Sequence, residues 1–594
     1  MTHASNAAPP RAPMAARQTG ATLWDLADGP FGDELAASAD PRDRIRLARY
    51  EQLAGYERRA HERLATALAA TTDEDVRREA RGQQLAGAAF EPRLEEVDWA
   101  ALDWPTGDDL TALRIKLAIS YAVLMEDGVE PAGGWRSAPT EADWERQVAR
   151  VHEVREGFLR AFADADADTV LDGLDLVVLV PLLVLTHSMQ DESLADARLV
   201  SDLADRTGIH ALVPFADYLL GVSLTAAAQV AEATDPLQRA AEGFATAPNL
   251  GWWMTVRGTQ YVLSVMTDIA PPRDVDLLER ELLSGTWRDG RRSLGHGVIA
   301  SLALMLAGHG DLEAARRIAL SEGDIDELQV GSSNRCWLVE VIFEAALADG
   351  ELDVCERMLR IVEHMMPSPW QRATLQRMRT RWGPGSPEPA AETPEIPGSI
   401  DSEILRTRWV SLARAVERGH RTSAYRELAA LDEFAAQSQA SAFRVRAVQL
   451  FRPDRDAAGA VLSTRQLEVA TLAAAGFTNR EISRELFLGI RTVEGYVSEA
   501  LKRLGLARRE ELTTVVLPVD VRAPTTGETV RLTLRQGQVA ALVAAGAGNA
   551  EIAAALGLSE RTVEKHMAVI KERTGVSTRT ALAKLFRTAV APAV

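Results

Sequence analysis

The chain has 594 residues, of which 46% are hydrophobic and 25% charged, and its formal net charge at pH 7 is −19. This length predicts several domains with sizeable cores, and the acidic balance taken alone argues against a nucleic-acid-binding protein. The two cysteines, Cys336 and Cys355, are too few for a disulfide framework and are expected to be small buried residues in a reducing compartment.

The N-terminal segment, residues 1–20, is rich in alanine, proline, serine and arginine and has no apolar core. It therefore predicts a disordered tail and not a signal peptide. The longest apolar run, Leu176 to Leu185, has ten residues including Pro181, which is too short for a membrane span and predicts a buried helix. We expect a cytoplasmic protein without a membrane segment.

Residues 21–382 predict helix after helix, with a glycine-containing corner that recurs. The corner at 306–315 returns 40 residues later at 346–355, and 415–420 repeats it in shorter form. Small residues around a glycine turn resemble tetratricopeptide-type helical hairpins, although the period is irregular. The fold class we predict is all-α, with an α-solenoid-like helical-hairpin body that acts as a sensor or assembly domain for a small-molecule or protein effector.

One aromatic cluster in this body is a candidate effector pocket, because aromatic side chains supply rigid apolar walls. Its members are Trp252, Trp253, Arg257 and Tyr261. Packing between helices is the commoner reason for such a cluster.

Other chemistry is weakly represented in the sequence. His187, Asp191 and Glu192 lack the spacing of metal ligands. No Gly-x-x-x-x-Gly-Lys-Ser/Thr motif for nucleotide phosphates occurs. The sequence therefore predicts no metal, no cofactor and no enzymatic activity.

Five prolines between residues 383 and 398 predict a semi-rigid loop or linker. Further helices over 399–455 are expected to join the body to the C-terminal region. That region is organised around a repeat: Leu462 to Leu512 recurs without a gap at Leu532 to Leu582, with 22 of 51 paired positions identical. Each copy is one small helical module.

Within each module the pattern predicts a short helix, a second short helix and, after a tight corner, a third helix with an exposed polar face. This is the helix-turn-helix arrangement. In the first copy the third helix spans 490–504, and the residues that it would bury are Val493, Val497, Ala500 and Leu504. In the second copy it spans 560–574, with Ser559 as N-cap, and would bury Val563, Met567, Ile570 and Thr574.

The repeated motifs resemble the LuxR-type DNA-binding domain. The resemblance rests on Gly476–Ser483, Thr492–Glu494 and Lys502–Leu506 in the first copy, and on Asn549–Ala553 and Thr562–His566 in the second. It implies four-helix modules over 456–518 and 531–590, with a third helix in the major groove and a fourth that often dimerises. It also implies a transcription regulator, an activator that would contact RNA polymerase.

Candidate contacts to double-stranded DNA follow from the resemblance and from the outward positions of the third helices. For the groove they are Arg491, Glu494, Ser498, Arg561, Glu564, Lys565 and His566. For the phosphates they are Thr492, Lys502, Arg503, Thr562, Lys571 and Arg573. Many family members have lysine where this chain has Glu494 and Glu564, and a glutamate can accept from a cytosine amino group but cannot bind a phosphate or a guanine.

The two modules differ in charge. Residues 462–516 have eight basic and seven acidic side chains, whereas 531–587 have nine and four. Because phosphate neutralisation dominates affinity for DNA, the second module is expected to bind more strongly. The first module either assists it or mainly contacts protein.

The segment between the modules, residues 519–530, predicts an extended tether that reaches about 40 Å when fully stretched. Two helix-turn-helix units one helical turn apart, about 34 Å, could therefore bind one DNA site. Both a monomer and a homodimer fit the sequence. The alternative function is a helical-repeat scaffold whose modules mainly bind protein partners.

Overall fold

The computed structural model describes 20–89, 102–127, 138–245, 251–267, 292–308, 310–321, 330–382, 399–437, 478–485, 488–503 and 534–588, with isolated positions between them. The secondary structure of these residues is helical, with no strand among them, and the all-α prediction is confirmed. The predicted tail up to residue 19, the proline-rich segment 383–398 and the tether 519–530 lie outside the described residues. No described helix is long and apolar enough to cross a membrane.

The chain divides into two compact units: Met1–Val265, Ile269–Met378 and Ile396–Glu403 form the first, and Met266–Asp268, Arg379–Glu395 and Ile404–Val594 form the second. The finer domain boundaries predicted from the sequence stay predictions.

The α-helices that begin before residue 382 are numbered here in chain order. They are α1 Leu23–Asp28, α2 Pro30–Ala37, α3 Pro41–Ala54, α4 Glu57–Ala69, α5 Glu74–Ala89, α6 Leu110–Glu126, α7 Glu141–Phe162, α8 Ala167–Asp172, α9 Leu174–Thr186, α10 Gln190–Thr207, α11 Val213–Ala226, α12 Val230–Phe244, α13 Gly251–Met266, α14 Arg292–Gly308, α15 Leu312–Ala319, α16 Ser332–Asp349, α17 Leu352–Glu363 and α18 Pro369–Arg381. Those that follow are α19 Asp401–Glu417, α20 Arg421–Gln437, α21 Asn479–Glu485, α22 Ile490–Arg503, α23 Leu534–Ala544, α24 Asn549–Leu556, α25 Glu560–Thr574 and α26 Arg579–Thr588.

The three glycine corners predicted from the sequence turn the chain between α14 and α15, α16 and α17, and α19 and α20. Gly310, Gly350 and Gly419 have φ angles of 91°, 76° and 73°, which is the left-handed region that glycine enters without steric cost. After each glycine the next amide donates to the carbonyl five residues earlier, at 2.9–3.0 Å, and satisfies a carbonyl at the helix end. At Gly310 and Gly350 the flanking helices also pack against each other, so these two corners make helical hairpins. The tetratricopeptide likeness itself stays a prediction.

Helix α9 is the apolar centre of the first unit. It contains the apolar run predicted to be a buried helix, and all of its residues except Leu182 and Thr186 are buried. It packs against α10 and α11, which follow it, and also against α3, α6 and α7, which precede it. An open stack of repeats contacts only its neighbours, so the packing of α9 on α3 adds long-range contacts that the hairpin pattern does not predict.

A buried ion network fixes the start of α9. The Nε atom of Arg114, on α6, lies 2.9 Å from Oδ2 of Asp175, and Nε of Arg49, on α3, lies 3.7 Å from its Oδ1. Burial opposes the ionisation of Asp175, but the two guanidinium groups outweigh it and hold its pKa below the usual value. Because breaking such a buried pair leaves an uncompensated charge, the network holds three distant helices in one arrangement.

Candidate nucleic-acid interface

The third helix of the first module, α22, begins at the predicted residue, Ile490. Val493, Val497 and Ala500 are buried in a cluster with Val469 and Ile482, as predicted for them, whereas Leu504 lies outside the described residues. The spacing of four and three residues places these side chains on one face of the helix. The opposite face is therefore free to meet a partner.

All six candidate DNA contacts of the first module are exposed: Arg491, Thr492, Glu494, Ser498, Lys502 and Arg503. Nε of Arg503 donates to Oε1 of Glu499, one turn earlier, at 3.1 Å. Part of the positive charge at the end of α22 is therefore already paired with a carboxylate. Whether any of the six contacts DNA stays a prediction.

The third helix of the second module, α25, has the predicted bounds. Oγ of Ser559 accepts from the amide of Thr562 at 3.1 Å, which confirms the predicted N-cap. Gly575, with a φ of 69°, ends the helix. The predicted inward residues, Val563, Met567, Ile570 and Thr574, are all buried.

The candidate contacts of the second module lie on the outward side of α25. Arg561, Glu564, Lys565 and Arg573 are exposed, and Thr562, His566 and Lys571 are half-buried. Nη1 of Arg573 lies 3.4 Å from Oε1 of Gln536. The helix thus presents two lysines, two arginines and a histidine, together with the exposed carboxylates of Glu560, Glu564 and Glu572. The basic excess of the second module therefore lies largely outside α25.

Two residues give the third helix of the first module a different face. Tyr496, at the position of His566, is half-buried and packs against the core of its own module. Ile490, at the position of Glu560, leaves 42% of its surface exposed. The first module therefore offers an apolar side chain where the second offers a carboxylate.

One interaction occurs in both modules and was not predicted from the sequence. Arg509 donates to Oδ1 of Asn479, and Nη1 of Arg579 donates to Oδ1 of Asn549, at 2.7 Å in the second case. In the second module the bond joins the first residue of α24 to the first residue of α26, and in the first module Arg509 bonds to the first residue of α21. The signal that could have revealed it is that both members are identical in the two copies and lie 30 positions apart.

A second unpredicted interaction joins the modules to each other. Arg508, in the first module, donates to Oε2 of Glu551 and to the carbonyl of Gly546, both in the second. Its Nη2 also lies 3.4 Å from the hydroxyl of Tyr425, on α20. The paired position in the second copy is Thr578, so the repeat contains no signal for this contact.

Helix α20 forms the support of the second module. It packs against α23 and α24, and Nε2 of Gln538 donates to Oε2 of Glu433 at 2.9 Å. These contacts use the first and second helices of the module. The exposed face of α25 is therefore not used by the support.

The four residues of the candidate effector pocket fall on two faces of α13. Trp252 is buried, donates its indole N–H to the carbonyl of Leu53 at 2.7 Å and lines a cavity of the first unit. Trp253, Arg257 and Tyr261 follow one another at intervals of four on another face. The guanidinium of Arg257 lies 5.1 Å from the ring centroid of Trp253, and Tyr261 is completely buried.

His187 and the cysteines lie in packed surroundings. The ring of His187 stacks on Trp144 with 5.6 Å between centroids, and burial lowers the pKa of His187 to about 4, so the imidazole is neutral. Among the described residues no group of three or more His, Cys, Asp or Glu could hold a metal ion. Cys336 and Cys355 are both buried free thiols, as predicted.

Comparison with known proteins identifies the two modules. Residues 460–516 and 530–586 each match the family described as "Bacterial regulatory proteins, luxR family". The chain is also 40% identical, over 52 residues, to the "Oxygen regulatory protein NreC" of Staphylococcus aureus strains JH9, JH1 and NCTC 8325. The matched segment is 9% of this chain and 24% of each relative, so the chain spans about a quarter of their length. No solved structure matches the chain significantly. The predicted tandem LuxR-type modules are confirmed.

Proposed function

We propose that the chain is a sequence-specific, DNA-binding transcription regulator that binds double-stranded DNA through both C-terminal modules under the control of its helical body. The observation that carries this proposal is the exposed outward face of α25, in a module that has nine basic and four acidic side chains over 531–587. Arg561, Lys565 and Arg573 point outward while Val563 and Ile570 fill the core. An exposed helix of this kind fits the major groove, and its charges would release phosphate counterions.

The proposal assigns the stronger DNA contact to the second module. Its charge excess over residues 531–587 and its Lys565, exposed where the first module has Gly495, both support this assignment. In the first module Arg503 shares its charge with Glu499, and Tyr496 packs inward. The first module would then adjust affinity and register, with Arg491 as its groove contact.

The test is selection of DNA from random sequence by the full chain, with and without neutralisation of each third helix. Arg561→Ala with Lys565→Ala neutralises α25, and Arg491→Ala with Lys502→Ala is the matched change in α22. The expected result is a motif with two parts, of which each variant loses one. No enrichment by the unaltered chain would overturn the proposal.

The alternative, a scaffold whose modules bind protein, has one specific observation in its favour. Ile490 exposes 42% of its surface at the start of α22, beside a module of nearly balanced charge. Affinity for selected DNA measured from low to high salt separates the two functions. A regulator that neutralises several phosphates loses orders of magnitude, whereas a flat response would favour the scaffold.

Transcription activation through RNA polymerase and assembly as a homodimer belong to the same proposal. A dimer would place four third helices on DNA, and mass measurement of the chain on and off the selected DNA would show it. Transcription in a purified system with the selected site upstream of a promoter would distinguish an activator from a repressor.

A further inference from the structure

The first unit contains a partly open cavity of about 290 Å³. Its wall is assembled from residues far apart in the chain, from Gln52 on α3 to Ile400 and Ser402 at the start of α19. The volume is roughly twice the ~150 Å³ of an engineered apolar cavity that binds benzene. The cavity is therefore large enough for a ligand of two or three rings.

The side chains that line the cavity form regular faces on three helices. On α13 they are Trp252, Thr255, Thr259 and Val262, spaced by three, four and three. On α11 they include Tyr218, Val222 and Thr225, spaced by four and three. On α9 they include Leu182 and Thr186, one turn apart, the two residues of that helix that are not buried. Their remaining accessible surface therefore faces the cavity.

The polar groups of the wall mostly bond within the wall. The hydroxyls of Thr225, Thr255 and Ser301 each donate to the carbonyl four residues earlier on their own helix, at 2.8–2.9 Å. The indole N–H of Trp252 and the hydroxyl of Tyr121 likewise donate to main-chain carbonyls, at 2.7 Å and 3.2 Å. Because these O–H and N–H groups already donate to main-chain carbonyls, the same side chains present methyl groups, rings and oxygen acceptors to the cavity.

The charges of the wall have one sign. Two carboxylates, Glu57 and Asp175, line the cavity, while no lysine, arginine or histidine is among the described lining residues. The cations that partner Asp175, Arg49 and Arg114, are themselves almost completely buried on other helices. An anionic group placed inside would lose its hydration without gaining a positive partner from the described part of the wall.

We propose that this cavity is the binding site for an uncharged, mainly apolar small molecule of two or three rings or equivalent size, and that it discriminates against carboxylates, sulfonates and phosphates. Aromatic side chains, among them Trp252, Trp337 and Trp370, supply flat apolar wall, and the lack of a cationic side chain among the described lining residues supplies the discrimination. The proposal extends the control function given to the body. Its test measures binding at the cavity alone and is independent of DNA recognition.

The test uses two fluorescent probes that differ by one charge. N-phenyl-1-naphthylamine is uncharged, and 1-anilinonaphthalene-8-sulfonate has the same ring systems with an added sulfonate. Titrated into the full chain, the uncharged probe is expected to bind stoichiometrically and at least tenfold more tightly than the sulfonate. Equal or tighter binding of the sulfonate at the same site would overturn the charge argument.

Matched substitutions on α11 locate the site. Val222→Phe fills the cavity, and Val213→Phe places the same change at the exposed start of the same helix, where the valine is 45% exposed. We expect Val222→Phe to reduce binding of the uncharged probe at least tenfold with an unchanged or raised melting temperature, and Val213→Phe to leave binding unaltered.

A second cavity variant, Leu182→Phe on α9, keeps the test decisive if Val222→Phe does not fold. It enters the same space from a different helix and is expected to give the same loss. Unaltered binding in a folded cavity variant, or equal loss in Val213→Phe, would overturn the location.

Discussion

The two helix-turn-helix modules have one scaffold and two surfaces. Five identical pairs of residues are completely buried in both copies: Val469 and Val539, Ala470 and Ala540, Ile482 and Ile552, Val493 and Val563, and Leu512 and Leu582. Some exposed positions are also identical, such as Arg491 and Arg561, whereas others differ, with Gly495 opposite Lys565 and Ile490 opposite Glu560. Core positions are constrained by close packing, whereas outward positions are constrained only by the partner.

The two copies share a fold, and their unequal charge predicts that they differ in affinity for DNA. Identity of the buried positions predicts that both modules are stable in the same arrangement. Divergence of the outward positions predicts unequal contributions to DNA binding, with the second module contributing more. Substitutions at paired positions can measure that inequality directly.

The largest expected effect is on the paired arginines at the start of the third helices. Arg561→Ala should weaken binding to the selected DNA by about 1–3 kcal/mol, the magnitude of one good base contact. Arg491→Ala should cost less, because its module contributes less to binding. Fluorescence anisotropy at one fixed salt concentration measures both, with thermal melting as the control for folding. A greater loss in Arg491→Ala would reverse the ranking of the modules.

The next effect concerns the contact between the modules. Arg508→Ala removes hydrogen bonds to Glu551 and Gly546 and should cost about 1 kcal/mol, since the pair is only partly buried. Hydrogen exchange of amides near 546–552 should become faster. Arg509→Ala is the control, because it removes the bond to Asn479 and should speed exchange in the first module instead. If both variants perturb the same amides, the contact does not act as described.

A smaller effect should come from making the first module more like the second. A Cβ at Gly495 would meet no atom within 4 Å and the position is exposed, so Gly495→Lys adds a positive charge without crowding the helix surface. The slope of log affinity against log salt should steepen by about 1. Gly495→Ala raises helix propensity without adding charge and should leave the slope as it was. An unchanged slope in the lysine variant would mean that α22 lies away from the phosphates.

The smallest effect concerns the N-caps of the third helices. Ser559 caps α25 with its hydroxyl, whereas the paired Gly489 has no side chain to offer. Ser559→Gly should destabilise the second module by a few tenths of a kcal/mol, and Gly489→Ser should stabilise the first by a similar amount. A Cβ at Gly489 would lie 3.5 Å from Oγ1 of Thr492, an ordinary contact. Differential scanning calorimetry of both variants measures the change in melting temperature. Changes of the same sign in the two variants would contradict the capping argument.

Local pattern was most informative in the C-terminal modules. The bounds of α25, its four inward residues and the cap at Ser559 all follow from apolar spacing and capping chemistry, which act within one or two turns. The glycine corners at Gly310, Gly350 and Gly419 were predictable for the same reason. Arg508 was not, because its partners lie about 40 residues further along the chain and 83 residues before it.

The candidate pocket shows the same division within one helix. The aromatic residues of α13 were identified in the sequence as a candidate pocket because of their composition. In the structure Trp253, Arg257 and Tyr261 lie on a different face from Trp252. The face that lines the cavity consists of one tryptophan, two threonines and one valine. The helical spacing of these residues is visible in the sequence. That spacing is the same whether the face packs against a neighbouring helix or lines a cavity, so the sequence alone cannot distinguish the two.

By itself the sequence determined the helical class, the two repeated modules, the residues that fill their cores and the unequal charge of their surfaces, since each depends on residues within a few turns. Only the tertiary structure decided that α9 packs on α3, that Arg508 joins one module to the other, and that faces of α9, α11 and α13 line one cavity. These features depend on contacts between segments that are distant in the chain. The free energy of such contacts is set by how well the packed surfaces match in shape and charge, and not by the helix propensity of either segment.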